Sequence, residues 1–319
     1  MRVSFGAMNT RREFLTQSAT LAGTILFSNF ADAAAVPDIS FPRTARDRIA
    51  IASYPFRDFI LPAESASDVP KNVPKMELTA FAAHVISRFN VNKIEPWSTH
   101  FRSLEPKYLE SFRASLDKAK AMVVSIAYDG EHSVYANDPA ERERAIADNK
   151  RWIDTAAVLG SPSIRTHIAA AGNQPPNLEL AADTLRRISD HASTRNVVVH
   201  LENDDGITED PFFLAQLVEA VNSPWLRGLP DFGNSLMHLP PEKAYDGLEA
   251  MFSRAYGMCH VKGSESTEKG AEVRVDLGLA FEILKKSGYR GYVSMEYDDR
   301  GDPYRGTDEL ISETLRSLS

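Results

Sequence analysis

From about residue 48 to the C-terminus, short runs rich in β-branched residues alternate with longer amphipathic stretches. This alternation restricts the fold more than any other feature of the chain. Amphipathic stretches such as Glu77–Phe89 and Leu178–Thr194 predict helices between the strands. Eight strand–helix units are typical of an α/β chain closed as a single (β/α)₈ barrel. The predicted strands are Ile49–Ser53, Lys93–Glu95, Met122–Ala127, Ser163–His167, Val197–Glu202, Leu226–Asp231, Gly257–Lys262 and Tyr292–Glu296.

Length and composition suit one such barrel without a second domain. The chain has 319 residues, of which 43% are hydrophobic and 25% charged, as in an ordinary globular protein. A doubly wound open sheet is the alternative, but no G-x-G-x-x-G segment follows the first strand, so a dinucleotide-binding fold has little support. The net charge of −8 argues against a nucleic-acid-binding surface, and the single cysteine, Cys259, excludes an intramolecular disulfide.

Residues 1–35 have the pattern of a twin-arginine signal peptide. The pair Arg11-Arg12 precedes an apolar run from Leu21 to Phe27, which is too short to span a bilayer, and Ala31-Asp32-Ala33 is a candidate cleavage site. The pattern predicts export by the twin-arginine machinery to the periplasm, with residues 36–319 forming the barrel. An uncleaved anchor, or a disordered tail with a chance arginine pair, is the alternative interpretation.

Metal-binding side chains recur at the carboxyl ends of the last four predicted strands. Glu202, Asp231, His260 and Glu296 follow one another at intervals of about one strand–helix unit, so neighbouring strands would bring them to one rim. Three converging carboxylates raise one another's pKa values, and a divalent cation removes that conflict. We therefore expect one divalent cation, with Mn²⁺ preferred and Mg²⁺, Co²⁺ or Zn²⁺ as alternatives.

Side chains alternate across a strand, so the ligands and strand ends predict which other residues face the inside of the barrel. Trp97, two residues after Glu95 at the end of the second predicted strand, offers an aromatic face to a sugar ring or packs within its loop. A structural role is the alternative for the others too: His200 could brace Glu202, and Lys262 could pair with a ligand carboxylate. The inward-facing residues predicted to contact a substrate are Glu95, Arg165, His167, His200 and Lys262.

At its strand ends the sequence resembles the xylose isomerase-like superfamily of sugar phosphate isomerases and epimerases. The likeness covers roughly residues 48 to 318, and it implies a TIM barrel. It further implies that Glu202, Asp231, His260 and Glu296 are the metal ligands, and that Glu202 and Glu296 also act as acid and base in proton transfer. The resembling segments are Ile94-Glu95-Pro96-Trp97, His200-Leu201-Glu202-Asn203, Asp231-Phe232-Gly233-Asn234, His260-Val261-Lys262-Gly263 and Ser294-Met295-Glu296-Tyr297.

The sequence departs from this family in two respects. Asn234 stands three residues after the aspartate ligand, where some family epimerases and the related apurinic endonucleases have a histidine. This difference and the acidic composition argue against DNA repair, and we expect Asn234 to contact the substrate instead. Export would also separate this protein from the phosphorylated, cytoplasmic sugars of many relatives, and would favour free sugars, glycosides or their oxidised derivatives.

Two enzymatic functions fit the predicted site. A sugar isomerase or epimerase would form an enediolate, with one of Glu202 and Glu296 taking a C–H proton and the other returning it. A lyase or hydratase acting on keto-glycosides in the periplasm would begin with the same abstraction and then expel a leaving group. A non-enzymatic sugar-binding module is a third hypothesis. The sequence leaves open whether the chain forms a homo-oligomer.

Overall fold

The computed structural model describes residues 36–61, 75–204, 210–266 and 272–319. Each predicted strand overlaps an observed one, and the third barrel strand is divided into two short parts, β3 and β4. The hairpin strands β9 and β10 pair antiparallel with each other and lie outside the barrel sheet. The strands are β1 Ile49–Ala52, β2 Lys93–Glu95, β3 Met122–Val123, β4 Ile126–Tyr128, β5 Ser163–Thr166, β6 Val198–Glu202, β7 Leu226–Leu229, β8 Met258–Val261, β9 Ser264–Ser266, β10 Glu272–Arg274 and β11 Tyr292–Met295.

Parallel pairing continues around a complete ring. One set of paired strands has the order β3-β2-β1-β11-β8, and the other has the order β4-β5-β6-β7. The sets meet where β3 continues into β4, and where a bridge between Asp231 and His260 joins the end of β7 to β8. The predicted closed barrel is therefore confirmed, and an open doubly wound sheet is excluded.

The helices begin and end where the local sequence satisfies their free backbone groups. Asp138, Asp210 and Asp302 each accept a backbone N–H from the first turn of the helix that follows. Asn196 and Asn222 end helices in the left-handed conformation, which asparagine tolerates better than most residues. The helices are α1 Ala45–Arg48, α2 Leu78–Phe89, α3 Pro106–Ala119, α4 Pro139–Leu159, α5 Leu178–Arg195, α6 Pro211–Val221, α7 Pro241–Phe252, α8 Leu277–Lys286 and α9 Pro303–Leu318.

The hydrophobic core has two parts. A large one lies between the strands and the surrounding helices. A small one, made of Ala50, Val124, Leu229, Met258 and Tyr292, fills the inside of the barrel at its amino-terminal end. Apolar side chains thus fill much of the barrel interior at the amino-terminal end, and the four candidate metal ligands lie toward the carboxyl-terminal end, where active sites of such barrels lie.

A short segment before the first strand covers the amino-terminal end of the barrel. The ring of Phe41 packs edge-on against Tyr256 and Tyr292, with ring centroids 5.3 and 5.6 Å apart. Among the described residues, no helix is both long and apolar enough to cross a membrane. The twin-arginine pattern lies outside the described residues, so the signal peptide stays a prediction.

Candidate metal centre and active site

Four side chains from four neighbouring strands meet at the carboxyl-terminal end of the barrel. Glu202 ends β6, Asp231 lies just beyond β7, His260 belongs to β8 and Glu296 directly follows β11. Each of these residues offers one ligand atom, and the four atoms lie within 4.8 Å of one another. All four residues are buried. The grouping predicted from strand-end positions is therefore present in three dimensions.

The imidazole of His260 is held between carboxylates at both of its nitrogens. Its Nδ1 lies 2.6 Å from Oε1 of Glu202 and 3.1 Å from Oε2 of Glu296, so this atom faces the ligand group. Its Nε2 lies 2.9 Å from Oε2 of Glu95. A histidine that binds a metal usually presents one nitrogen to the cation and donates the other N–H to a carboxylate or carbonyl. His260 has this arrangement, with Glu95 as the acceptor.

Two buried oxygens of the group that accept no hydrogen bond fit a divalent cation. Oδ2 of Asp231 and Oε2 of Glu202 are buried and make no hydrogen bond to any described residue. Burial, together with the neighbouring Glu202 and Glu296 and against the effect of Lys262, raises the pKa of Asp231 to about 8. Ligands bound at about 2.1 Å lie at most about 4.2 Å apart, so a small side-chain adjustment would let all four bind one ion.

Two protein cations already balance part of the negative charge. Burial by itself would lower the pKa of His260, but the carboxylates of Glu202 and Glu296 outweigh it and raise this pKa well above its usual range. The pKa of Lys262 is likewise raised against burial, by Asp231, Glu296 and Glu265. The ammonium of Lys262 lies 2.9 Å from Oε2 of Glu265 and 3.4 Å from Oε2 of Glu296. It also donates to Oδ1 of Asn234, at 2.7 Å.

Near the carboxyl ends of β2, β4, β5 and β6, further polar side chains form what we call the polar wall of the site. Nη1 of Arg165 donates to Oδ1 of Asp129 at 2.6 Å, and its Nε lies 2.7 Å from Oε2 of Glu202, at ion-pair distance but without hydrogen-bond geometry. Nδ1 of His167 lies 3.6 Å from Oδ2 of Asp204. The indole N–H of Trp97 donates to the other carboxylate oxygen of Asp129. This wall therefore presents guanidinium, imidazole, carboxylate and indole groups side by side.

The polar wall, together with Lys262 and Glu296, borders a cavity of about 1220 Å³ that opens at the carboxyl-terminal end of the barrel. Of the four candidate ligands, Glu296 alone is among the described residues that line it. Trp97, Arg165, His167, Asn234 and Lys262, all predicted to contact a substrate, line the cavity as well. Their role as substrate contacts stays a prediction, but a molecule that entered the cavity could reach each of them.

Two other predicted substrate contacts lie elsewhere. Glu95 is fully buried against His260, so it contacts a candidate ligand and does not form part of the cavity wall. His200 is also fully buried, and a side chain added at Gly257 would meet its ring. Burial, with a smaller contribution from Arg227, lowers the pKa of His200 to about 3, so its ring is neutral. The structure places both residues in the barrel interior, away from the cavity.

Sequence analysis missed several acidic residues that line the cavity. Asp204 and Asp298 follow Glu202 and Glu296 by two positions, and Asp129 follows the end of the predicted third strand by two. Continuing the alternation of side chains beyond the strand ends would have identified all three. Glu265 lies on the hairpin strand β9, which no sequence pattern had predicted.

Comparison with known protein families agrees with this architecture. The profile of the family described as "Xylose isomerase-like TIM barrel" matches residues 84–318. The chain belongs to this family. No match was found among curated proteins.

Solved structures with the same fold can be superposed on most of this chain. A xylose isomerase-like TIM barrel protein from Mycobacterium smegmatis, in complex with magnesium, is 18% identical with a TM-score of 0.64, covering 87% of this chain and 100% of its own. The D-allulose 3-epimerase from Methylomonas sp., in complex with D-allulose, is 16% identical (TM-score 0.62; 87% and 97% covered). The apo 3-keto-D-glucoside 4-epimerase YcjR from E. coli is 14% identical (TM-score 0.60; 84% and 99% covered). At these identities the likeness establishes the fold.

Proposed function

We propose that this protein is a divalent-metal-dependent isomerase or epimerase of sugars or sugar derivatives that works by proton transfer. One observation carries the proposal: three buried carboxylates and one imidazole converge within 4.8 Å, and one of those carboxylates, Glu296, borders an open polar cavity. A pure binding module would have no need to keep such a costly group of charges at its centre. The epimerases that share this fold add support from the comparisons.

The ligand set is Glu202, Asp231, His260 and Glu296, and Mn²⁺ is the cation we propose, with Mg²⁺, Co²⁺ or Zn²⁺ as alternatives. When bound, such a cation polarises substrate oxygens and lowers the cost of removing a neighbouring C–H proton. Three carboxylates and one imidazole do not fill the coordination shell of such a cation, so coordination positions are left for substrate oxygens. The magnesium complex of the related M. smegmatis protein is consistent with a hard, oxygen-preferring centre.

Glu296 and Glu202 are the proposed acid and base. Glu296 borders the cavity directly, so it is placed to take or return the proton of a bound sugar. Glu202 lies deeper, between Nδ1 of His260 and Nε of Arg165, and would act from the opposite side of the centre. Lys262, Asn234, Arg165, His167 and Trp97 would orient the substrate hydroxyl and carbonyl groups.

The test is a screen of ketoses, aldoses and 3-keto sugars with the metal-free protein, to which each cation is added in turn. NMR in deuterated solvent follows exchange of substrate C–H protons, and chromatography identifies the products. We expect metal-dependent exchange together with a product of unchanged mass. A product that has lost water or an aglycone would instead establish the lyase alternative. Binding without exchange for every sugar and cation would contradict enzymatic proton transfer.

A further inference from the structure

The charged side chains that line the cavity bear on whether the substrate is phosphorylated, a question that the sequence addressed only through the predicted export. Enzymes hold a phosphate group with guanidinium or ammonium groups whose charge is not already balanced, or with the amino end of a helix. The four arginine and lysine side chains among the described lining residues are Arg57, Arg165, Lys262 and Arg300.

The two buried cations of this set, Arg165 and Lys262, already form ion pairs with carboxylates. Arg165 contacts Asp129 at 2.6 Å and Glu202 at 2.7 Å, and its side chain is only 5% exposed. Lys262 contacts Glu265 at 2.9 Å and Glu296 at 3.4 Å and is 6% exposed. Breaking either set of contacts to bind a phosphate would leave buried carboxylates without a partner, which is costly.

The remaining groups at the rim offer a phosphate one exposed arginine, since the other outer arginine is paired. The amino end of α9 also lines the cavity at Pro303, but the carboxylate of Asp302 already caps it by accepting the N–H of Tyr304. Arg57 lies 3.0 Å from Asp298 and stacks over the ring of Tyr54, at 4.2 Å from its centroid. Arg300 has no ion pair with any described residue, but it is exposed at the cavity rim. Among the described lining residues, seven carboxylates outnumber these four cations, so this part of the lining carries a net negative charge. The two positive charges of a divalent cation at the centre would only balance the negative charges of Glu202 and Asp231, the two carboxylate ligands that do not line the cavity.

We infer that the substrate is an uncharged sugar, free or glycosidic, and that sugar phosphates are disfavoured. This inference rests on the proposed function. The carboxylates of Asp129 and Asp204 accept hydrogen bonds, which suits hydroxyl groups, whereas they repel phosphate oxygens. Trp97 and Tyr54, whose rings meet edge-on at 5.1 Å, add apolar surface for the C–H face of a sugar ring.

Matched pairs of sugars test the inference in the full chain loaded with Mn²⁺. D-fructose is compared with D-fructose 6-phosphate, and D-ribulose with D-ribulose 5-phosphate, by C–H exchange and by calorimetric binding. We expect the phosphorylated member to have a kcat/KM at least about tenfold lower and a weaker binding constant, with a ratio that narrows at high salt. Tighter binding of the phosphorylated members overturns the inference even if no sugar is turned over. Absence of exchange with every sugar would instead contradict the proposed function.

A pair of variants tests the charge argument itself. Asp298→Asn removes the partner of Arg57, whereas Asp299→Asn removes the same charge from the same rim and leaves that ion pair intact. The first variant should bind the phosphorylated sugars about three- to tenfold more tightly relative to the second, the effect of one released charge. Equal binding by the two variants would show that paired arginines do not determine the selectivity, and would overturn this explanation.

Discussion

Nε2 of His260 lies 2.9 Å from Oε2 of Glu95, and neither side chain is exposed. The two residues are on strands that are not neighbours in the barrel, so the contact crosses its interior. Nδ1 of the same ring faces Glu202 and Glu296. The contact between Nε2 and Glu95 therefore determines that Nδ1 is the nitrogen presented to a cation. Glu95 is thus a positioning residue for the proposed metal centre.

This role predicts the effect of Glu95→Gln on metal binding. Glutamine keeps the size and one acceptor oxygen but loses the negative charge that orients and polarises the imidazole. We expect Mn²⁺ affinity to fall about 10- to 100-fold in calorimetric titrations, the usual effect of losing such a partner. Affinity for uncharged sugars at saturating Mn²⁺ should change little. If sugar binding is lost and metal binding is kept, Glu95 is a substrate contact as the sequence predicted.

Removal of the cation should lower thermal stability. A metal that binds only the folded chain stabilises it by mass action, so a chelator should abolish activity and decrease the Tm. His260→Ala should reduce this chelator-dependent shift, because it removes one ligand and leaves the three carboxylate ligands in place. An identical Tm with and without chelator, together with no bound metal by elemental analysis, would contradict the four-ligand centre.

The different positions of the two glutamates predict different kinetic defects. Glu296→Gln and Glu202→Gln should each lower turnover by roughly 10²–10⁴-fold, the usual contribution of one positioned acid or base. Since Glu296 borders the cavity, its variant should also lose exchange of the substrate proton with deuterated solvent, whereas the Glu202 variant should retain it. Both assays require saturating Mn²⁺ with measured occupancy. Near-normal turnover in both fully loaded variants would exclude the two-carboxylate mechanism.

A buried histidine that packs edge-on against Trp97 predicts acid sensitivity. Burial, with smaller contributions from Lys75 and Arg57, lowers the pKa of His100 to about 3 from its ordinary 6.5, and its Nδ1 lies 2.8 Å from Oγ of Ser53. Between these pH values the unfolded chain binds a proton that the folded chain does not, so its contribution to stability is complete above pH 6.5 and declines as pH falls toward 3.

Replacing this histidine should therefore flatten the pH dependence of stability. We expect His100→Gln to reduce the slope of the unfolding free energy between neutral and mildly acidic pH by at most about 1.4 kcal/mol per pH unit. Urea unfolding followed at several pH values measures it, with chelator in every sample so that metal release does not contribute. Parallel curves for the two proteins would mean that the pKa of His100 is the same in the folded and unfolded chain, and would contradict this prediction.

The twin-arginine pattern predicts export independently of the fold. Changing Arg11 and Arg12 to lysine should leave the precursor in the cytoplasm, because the export machinery recognises the arginine pair. Cell fractionation and the length of the processed chain measure this, with a variant altered at Arg43, outside the signal, as the control. Unchanged delivery of the double variant to the periplasm would exclude this route.

The sequence alone determined the barrel and its four candidate ligands. Strand–helix alternation is a local property, and the carboxyl end of every parallel strand reaches the same rim, so Glu202, Asp231, His260 and Glu296 had to lie near one another. Only the tertiary structure decided which groups contact across the barrel. Side-chain alternation says that Glu95 and His200 face inward, but not how deep they lie or what they meet.

Those contacts depend on strand register and on the direction of each side chain, which arise only when distant strands pair. Glu95 contacts His260, 165 residues further along the chain, and Asp129 contacts Arg165 from a neighbouring strand. Whether Arg165 and Lys262 could bind a phosphate also depended on such pairing, because a cation's availability is determined by the carboxylates beside it. The sequence shows which charged residues are present, and the packing of the barrel determines which of them form ion pairs.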